Sequence, residues 1–328
     1  MPFQRVDSLP KLPTSSSFQI GRVFPRGDFS VAREAGDGCV FRMGTKIDRA
    51  QRQRREIKYQ IPEETALKIR SYLSSYLDPD ENAVGKVDNS YEVQSLYLDS
   101  NQLMTYHAAA NGERNRFKLR IRYYDEDPSS PVYFEIKRRI NEGIVKQRAR
   151  VRRDAVKSLL VGASPTREHL YSWNPQHWTD LLDFWQLVER LQAAPRLHNA
   201  YLREAYVSPG KGAVRVTIDR NVHCEPEFGG ELSAKFRNPS DIFRGVVILE
   251  LKFTERMPTW LIEMVRGFDL KSSGAAKYGD GVECLGQTKV ARRLTGFEWG
   301  HSETSAATSA PWLDASAALR SALGPNRK

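Results

Sequence analysis

Cysteine is scarce in this 328-residue chain: Cys39, Cys224 and Cys284 stand far apart, with no Cys-x-x-Cys pair and no Cys/His cluster. That spacing argues against a disulfide framework and a thiolate zinc site, and leaves free thiols of a reducing cytoplasm as the expectation. Long apolar runs are missing too. The most apolar stretch, Val246 to Leu251, falls far short of the roughly 20 residues a bilayer span requires. Met1-Pro2-Phe3-Gln4-Arg5 does not begin a signal peptide, so a cytoplasmic chain with no transmembrane segment is expected. No Gly-x-Gly-x-x-Gly or Gly-x-x-x-x-Gly-Lys-Ser/Thr is present, which argues against Rossmann and P-loop nucleotide folds. The six histidines are scattered and no Gly-x-Ser-x-Gly elbow accompanies them, so a nucleophilic triad is unsupported. Acidic charge is in deficit. Lys and Arg number 50 against 40 Asp and Glu, a net charge of +10, and the partner should be an anion.

The hydrophobic fraction of 40% and charged fraction of 27% are those of a soluble globular protein. Residues 1–50 mix Pro, Ser, Gly and charges without periodicity and read as a loose extension. The folded domain is expected over 51–290, with a flexible tail over 291–328 in which Trp312 to Leu323 forms one short helix. Within the domain, Pro62-Glu63-Glu64 starts a helix whose apolar stripe carries Leu67, Tyr72, Leu73, Tyr76 and Leu77. His177 to Leu191 and Pro258 to Leu270 give two more, and the remaining segments are strand-like. Asn141-Glu142-Gly143 is a hairpin turn.

What the chain has in abundance is charge alternating with apolar residues. Seven stretches show it: Glu56-Ile57-Lys58, Lys118-Leu119-Arg120-Ile121-Arg122, Glu135-Ile136-Lys137, Lys146-Gln147-Arg148-Ala149-Arg150, Tyr201-Leu202-Arg203, Arg215-Val216-Thr217-Ile218-Asp219 and Glu250-Leu251-Lys252. A strand has a side-chain period of two, so each stretch separates a charged face from an apolar one. A single such strand is ordinarily a solvated face. Seven that are mostly basic predict an α+β fold: an antiparallel β-barrel whose charged face lines a tunnel and whose apolar face packs on flanking helices. Waters, counter-ions or a bound anion must offset the repulsion within such a lining, and a polyanion accompanied by a divalent metal is the expected occupant. Duplex nucleic acid is not expected, because the basic residues are on strands and the helices read as core; a single-stranded mode is less remote.

Those stretches, together with Tyr91-Glu92-Val93-Gln94-Ser95-Leu96-Tyr97-Leu98-Asp99, Pro258-Thr259-Trp260 and Ala276-Lys277-Tyr278, resemble the VTC (vacuolar transporter chaperone) polyphosphate polymerase domain. That family belongs to the triphosphate tunnel metalloenzymes of the CYTH-like superfamily, and the resemblance runs in order over about residues 52–285. It implies a transferase that moves the γ-phosphoryl group of ATP onto inorganic polyphosphate with Mn²⁺ or Mg²⁺. The implied catalytic residues are Lys58, Arg120, Arg122, Lys137, Lys146, Arg203, Arg215 and Lys277, with Lys118, Arg148, Tyr201 and Lys252 binding substrate. Glu250 falls on the family's metal-binding glutamate, and Glu135 and Glu56 are weaker metal candidates. Ala276 stands where the family often has Ser. Neither the SPX domain nor the membrane helices of eukaryotic relatives are seen, so sensing of inositol pyrophosphates and coupled translocation are not expected.

Phosphoryl transfer needs in-line positioning and neutralisation of charge, which Arg forks and Lys point charges supply. In a polymerase the attacking phosphate oxygen is already ionised, and no general base is required. A hydrolase needs a group to orient water, and Glu56 and Glu135 have the parity for that. Polymerase, triphosphate or polyphosphate hydrolase, and non-catalytic polyphosphate-binding module therefore all stay open, in that order.

Overall fold

The computed structural model describes residues 54–291 apart from 142, 211, 212 and 255. The expected extension over 1–50, the expected tail helix over 312–323 and Cys39 lie outside the described residues. The elements run β1 (Arg54–Ile61), α1 (Glu63–Leu73), β2 (Asp78–Pro79), β3 (Ser90–Asp99), α2 (Met104–Ala110), β4 (Asn115–Tyr123), β5 (Val132–Ile140) and β6 (Gly143–Val151). There follow α3 (Val156–Leu160), α4 (Pro175–Leu191), β7 (Ala194–Val207), β8 (Val214–Pro226), β9 (Ser240–Asp241), β10 (Val247–Thr254), α5 (Thr259–Gly267), α6 (Lys277–Leu285) and α7 (Gln287–Val290).

The class is α+β, built on one antiparallel sheet in the order β1-β10-β8-β7-β3-β4-β5-β6, with β2 added to β7 and β9 to β8. Its apolar face carries two cores. Over β3 to β6, Leu96, Leu119, Ile121, Phe134, Ile136 and Ala149 pack on Leu181, Phe184, Leu187 and Val188 of α4. Over β1, β8 and β10, Tyr59, Ile61, Val216, Ile218, Leu249 and Leu251 pack on Ala66, Ile69 and Leu73 of α1 and on Leu261 and Met264 of α5. Each such aliphatic side chain taken fully out of water contributes roughly 1.5–3 kcal/mol.

The sheet curls but does not close. β1 and β5 are six places apart in the strand order, yet Lys137 Nζ lies 3.2 Å from Glu56 Oε2. No ladder joins β6 to β1 among the described residues, which corrects the expected closed barrel. The outer edges are engaged elsewhere. Tyr59 bridges Ser272 and the Ser273 N–H donates to Lys58 O, so loop backbone occupies part of the β1 edge. On β6, Val151 bridges Leu170 and the Tyr171 N–H donates to Arg150 O.

The helix starts follow local chemistry. Asn174 Oδ1 accepts from the N–H groups of Gln176 and His177, and Pro175 occupies the first helical position of α4. Glu63 and Glu64 stand in the first turn of α1, at the positive end of its dipole. The expected α1 stripe needs correction: Leu67 and Tyr76 are exposed, and Ala66 and Ile69 face the sheet beside Leu73. Four helices, α2, α3, α6 and α7, fall where only strands were expected. α2 hangs on the buried Asp99 carboxylate, which accepts from the Thr105 and Tyr106 N–H groups. α6 contains Gly279 and Gly281, poor helix formers, and is held by burial of Tyr278, Val282 and Leu285.

Candidate functional site

The concave face of the curled sheet collects the charges. β1 contributes Glu56 and Lys58; β10, Glu250 and Lys252; β8, Arg215 and Asp219; and β7, Tyr201 and Arg203. β4 adds Lys118, Arg120 and Arg122, β5 adds Glu135 and Lys137, and β6 adds Lys146 and Arg148. Register ties them into rows. Glu56 is opposite Lys252, which is opposite Arg215; Lys58 is opposite Glu250; Arg120 is opposite Glu135, which is opposite Arg148. Lys277, at the start of α6, joins them through an ion pair to Asp219. All eleven basic residues singled out from the sequence are thus brought to one surface with Tyr201. Asp80, in the turn after β2, makes a fifth carboxylate beside Glu56, Glu135, Asp219 and Glu250, so the cations are in excess by six.

Each carboxylate is the centre of a cationic knot. Glu135, fully buried, receives Arg120 Nε at 2.6 Å, Lys146 Nζ at 2.7 Å, Arg148 Nε at 3.0 Å and Arg122 Nε at 3.9 Å. Burial alone would raise its pKa, but Arg120, Arg122, Lys146 and Arg148 hold it well below the usual carboxylate range. Asp219 accepts both arms of Arg203, at 2.6 and 2.8 Å, and Lys277 Nζ at 2.7 Å. Its burial is outweighed by those two cations, and its pKa falls to about 2. Asp80 holds Arg215 Nη2 at 2.5 Å and accepts from the Tyr91 hydroxyl at 3.1 Å. Glu250 meets Lys252 at 2.5 Å, while Lys58, whose ammonium donates to Ala275 O, stands next to Glu56 at 3.3 Å.

The excess positive charge is felt by the lysines. Burial pushes Lys118 down to about 8, helped by repulsion from Lys137 and Lys58. Burial likewise lowers Lys252 to about 8 against the pull of Glu250, and takes Lys146 to about 7 with help from three arginines. Tyr97 shows the same field with the opposite charge sign. Its burial is overcome by Arg120 and Arg122, and its phenol drops to about 8. Arg122 Nε is buried with no hydrogen-bond partner and faces Glu135 Oε2 only at 3.9 Å, although Arg122 Nη2 donates to the Tyr201 hydroxyl at 3.2 Å.

A resident metal centre does not fit these residues. Among the described residues no group of three His, Cys, Asp or Glu side chains gathers to hold an ion. Glu250 is tied to Lys252, Glu56 to Lys58 and Lys137, and Glu135 is ringed by cations on both oxygens.

Asp80, Asp219, Tyr97 and Tyr124 were not singled out from the sequence as site residues. Asp219 and Tyr97 lie in stretches whose parity pointed inward. Tyr124, which accepts from Arg148 Nη2 at 3.0 Å, follows Arg122-Tyr123 just beyond its strand. Asp80 is in a turn, where no periodicity signals orientation.

Residues 53–286 match the family model of the VTC domain. This chain belongs to the VTC-domain family. Over 280 residues the VTC-domain chain is 22% identical to "Vacuolar transporter chaperone complex subunit 2" of Schizosaccharomyces pombe, with 71% of this chain and 38% of the relative covered. The chain therefore spans less than two fifths of that relative's length. Within the described part of the VTC-domain chain, no helix is long and apolar enough to cross a membrane.

Proposed function

We propose that this VTC-domain chain acts on inorganic polyphosphate, as a polymerase that transfers the γ-phosphoryl group of ATP to the end of a growing chain. The observation that carries the reading is the concave face itself: eleven basic side chains against five carboxylates, with Arg122 Nε buried without a hydrogen-bond partner and 3.9 Å from its counter-charge on Glu135. A triphosphate laid along this face meets the positive charge that the five carboxylates leave unmatched. The curled sheet then works as a tunnel, with the gap between β1 and β6 spanned by Lys137 and Glu56.

In the transfer, a terminal phosphate oxygen of the polymer attacks the γ-phosphorus. The bond from that phosphorus to the β,γ-bridging oxygen breaks, ADP leaves with the electron pair, and the polymer gains one phosphate. Arg120 and Arg122 grip the transferred group, and Lys137 and Lys146 reduce repulsion between donor and acceptor. Arg203, Arg215 and Lys277 are oriented by Asp219 and Asp80, so their donors are set before substrate arrives. Mn²⁺ or Mg²⁺ arriving on the phosphates would touch Glu250, with Glu56 as second carboxylate, and would neutralise phosphate charge there.

Hydrolysis is the second reading, and Glu56 is the observation that favours it. Its carboxylate borders the open gap between Lys137 and Lys58, placed to orient a water. Incubation of the purified chain with ATP and Mn²⁺, followed by gel separation of the products, tests both. Phosphate polymers longer than the starting triphosphate support the polymerase. Release of ADP and orthophosphate alone supports the hydrolase, and no ADP at all reduces the site to a binding surface.

A further inference from the structure

We infer that a cavity beside the charged face is a nucleoside pocket, which seats the sugar and base of a nucleotide whose phosphates lie on that face; this rests on the function proposed above. The cavity is about 510 Å³ and is bounded by Gln60, Ile242, Phe243, Gly274, Ala276 and Asp280. That volume lies within the 300–1,000 Å³ typical of small-molecule sites.

The pocket and the charged face share their walls. Gln60 lies two residues beyond Lys58 on the same face of β1, and is opposite Ile248 of β10. Gln60 Nε2 donates to Gly274 O at 2.7 Å and Lys58 Nζ to Ala275 O at 2.8 Å, so one loop forms the border between the two. Ala276 precedes Lys277, whose ammonium bonds Asp219 on the charged face. A ligand that crosses this border places its next group among Lys58, Lys277 and Arg203.

Charge decides which part of the ligand belongs where. The pocket carries Asp280 and Glu283 against Arg244, whereas the adjoining face has its excess of cations. A phosphate chain is repelled from the first and held by the second; a neutral nucleoside suits the first. Ile242 and Phe243 are half-buried at the margin of the buried cluster that contains Tyr201 and Ile248, leaving apolar surface for a base. Asp280 Oδ2 accepts from the Ala276 N–H, which fixes the carboxylate as an acceptor for ribose hydroxyls. The nucleoside therefore enters at this end, and the polymer extends from the opposite end of the face.

Gly274 gives a direct test, because a side chain added there meets no atom within 4 Å of its Cβ and its backbone is unstrained. Gly274→Phe fills the pocket without replacing any cation of the charged face. Titration calorimetry of the full chain with ATP and, separately, with inorganic tripolyphosphate should show ATP weakened about tenfold and tripolyphosphate unchanged, as expected for lost base stacking. Phe243→Leu, which keeps apolar volume but removes the ring, should weaken ATP several-fold and spare tripolyphosphate in the same way. Equal effects on both ligands, or none on ATP, overturn the pocket and leave the charged-face reading standing. Wild-type protein that binds ATP but not tripolyphosphate keeps the pocket and rejects that reading. Failure to bind either rejects both.

Discussion

Glu250 and Lys252 stand two residues apart on one face of β10, and their side chains meet at 2.5 Å. The pair is internal to the charged face, and it gives Glu250 a role before any ligand arrives. Burial would raise its pKa, but Lys252, Lys58, Arg203 and Lys277 hold it well below the usual range. Glu250→Gln should therefore make the unliganded protein easier to unfold by about 1–3 kcal/mol in urea titrations, since cations lose their counter-charge. Tripolyphosphate should restore most of that stability, because a ligand that binds only the folded state stabilises it. The same variant should bind tripolyphosphate more tightly without metal and turn over ATP far more slowly with Mn²⁺. Turnover equal to wild type would exclude a metal-contacting role for Glu250.

Arg122 gives a prediction about the transfer step. Its Nη2 is committed to Tyr201, while its Nε is buried without a hydrogen-bond partner. If this donor meets the transferred phosphoryl group, Arg122→Ala should cost about 2–4 kcal/mol of transition-state stabilisation, read as kcat/KM. Arg122→Lys should recover only part, because the charge survives and the planar fork does not. A loss of triphosphate affinity with kcat unchanged would make Arg122 a binding residue only.

The charged face was legible in the sequence because a strand's period of two maps residue parity directly onto sheet face. Lys118, Arg120 and Arg122 needed no tertiary information to be placed together. The sheet's openness was not legible, since it depends on Ser272, Ser273, Leu170 and Tyr171 reaching the two edges from distant loops. Likewise α6 is helical despite two glycines, because Tyr278 and Val282 bury against β7 and β8. The pairing of Glu250 with Lys252 was available as an alternative from their spacing, but geometry was needed to see it formed.

Acid stability follows from Asp219. Its folded pKa is about 2, against about 3.9 for an unpaired aspartate, so its carboxylate is stabilised in the folded state. A lowered folded pKa contributes stability that is fully present above the unfolded pKa and lost as pH falls through the folded one. Melting temperature should thus decline between about pH 4 and pH 2, and Glu135, also held low, adds to the same loss. Asp219→Asn should remove Asp219's share of this pH dependence. It should also cost about 3–5 kcal/mol at neutral pH, because Arg203 and Lys277 are left buried without their partner. A melting profile that is flat down to pH 2 in the wild type would contradict this account.

Anion affinity should depend on pH in the opposite region. In the free protein Lys118 and Lys252 titrate near 8 and Lys146 near 7, all lowered first by burial. Lys146 keeps 42% of its side chain in solvent, so the two more enclosed lysines set the window. A bound polyphosphate favours the protonated amines, so binding should take up protons between about pH 7 and 9 and weaken as pH rises. Calorimetric titration with tripolyphosphate in two buffers of different ionisation enthalpy measures that uptake directly. Lys118→Arg removes one titrating amine while keeping its charge, and should flatten the pH profile of affinity. Proton release on binding, or an affinity that rises with pH, would reject the view that these lysines meet the phosphate.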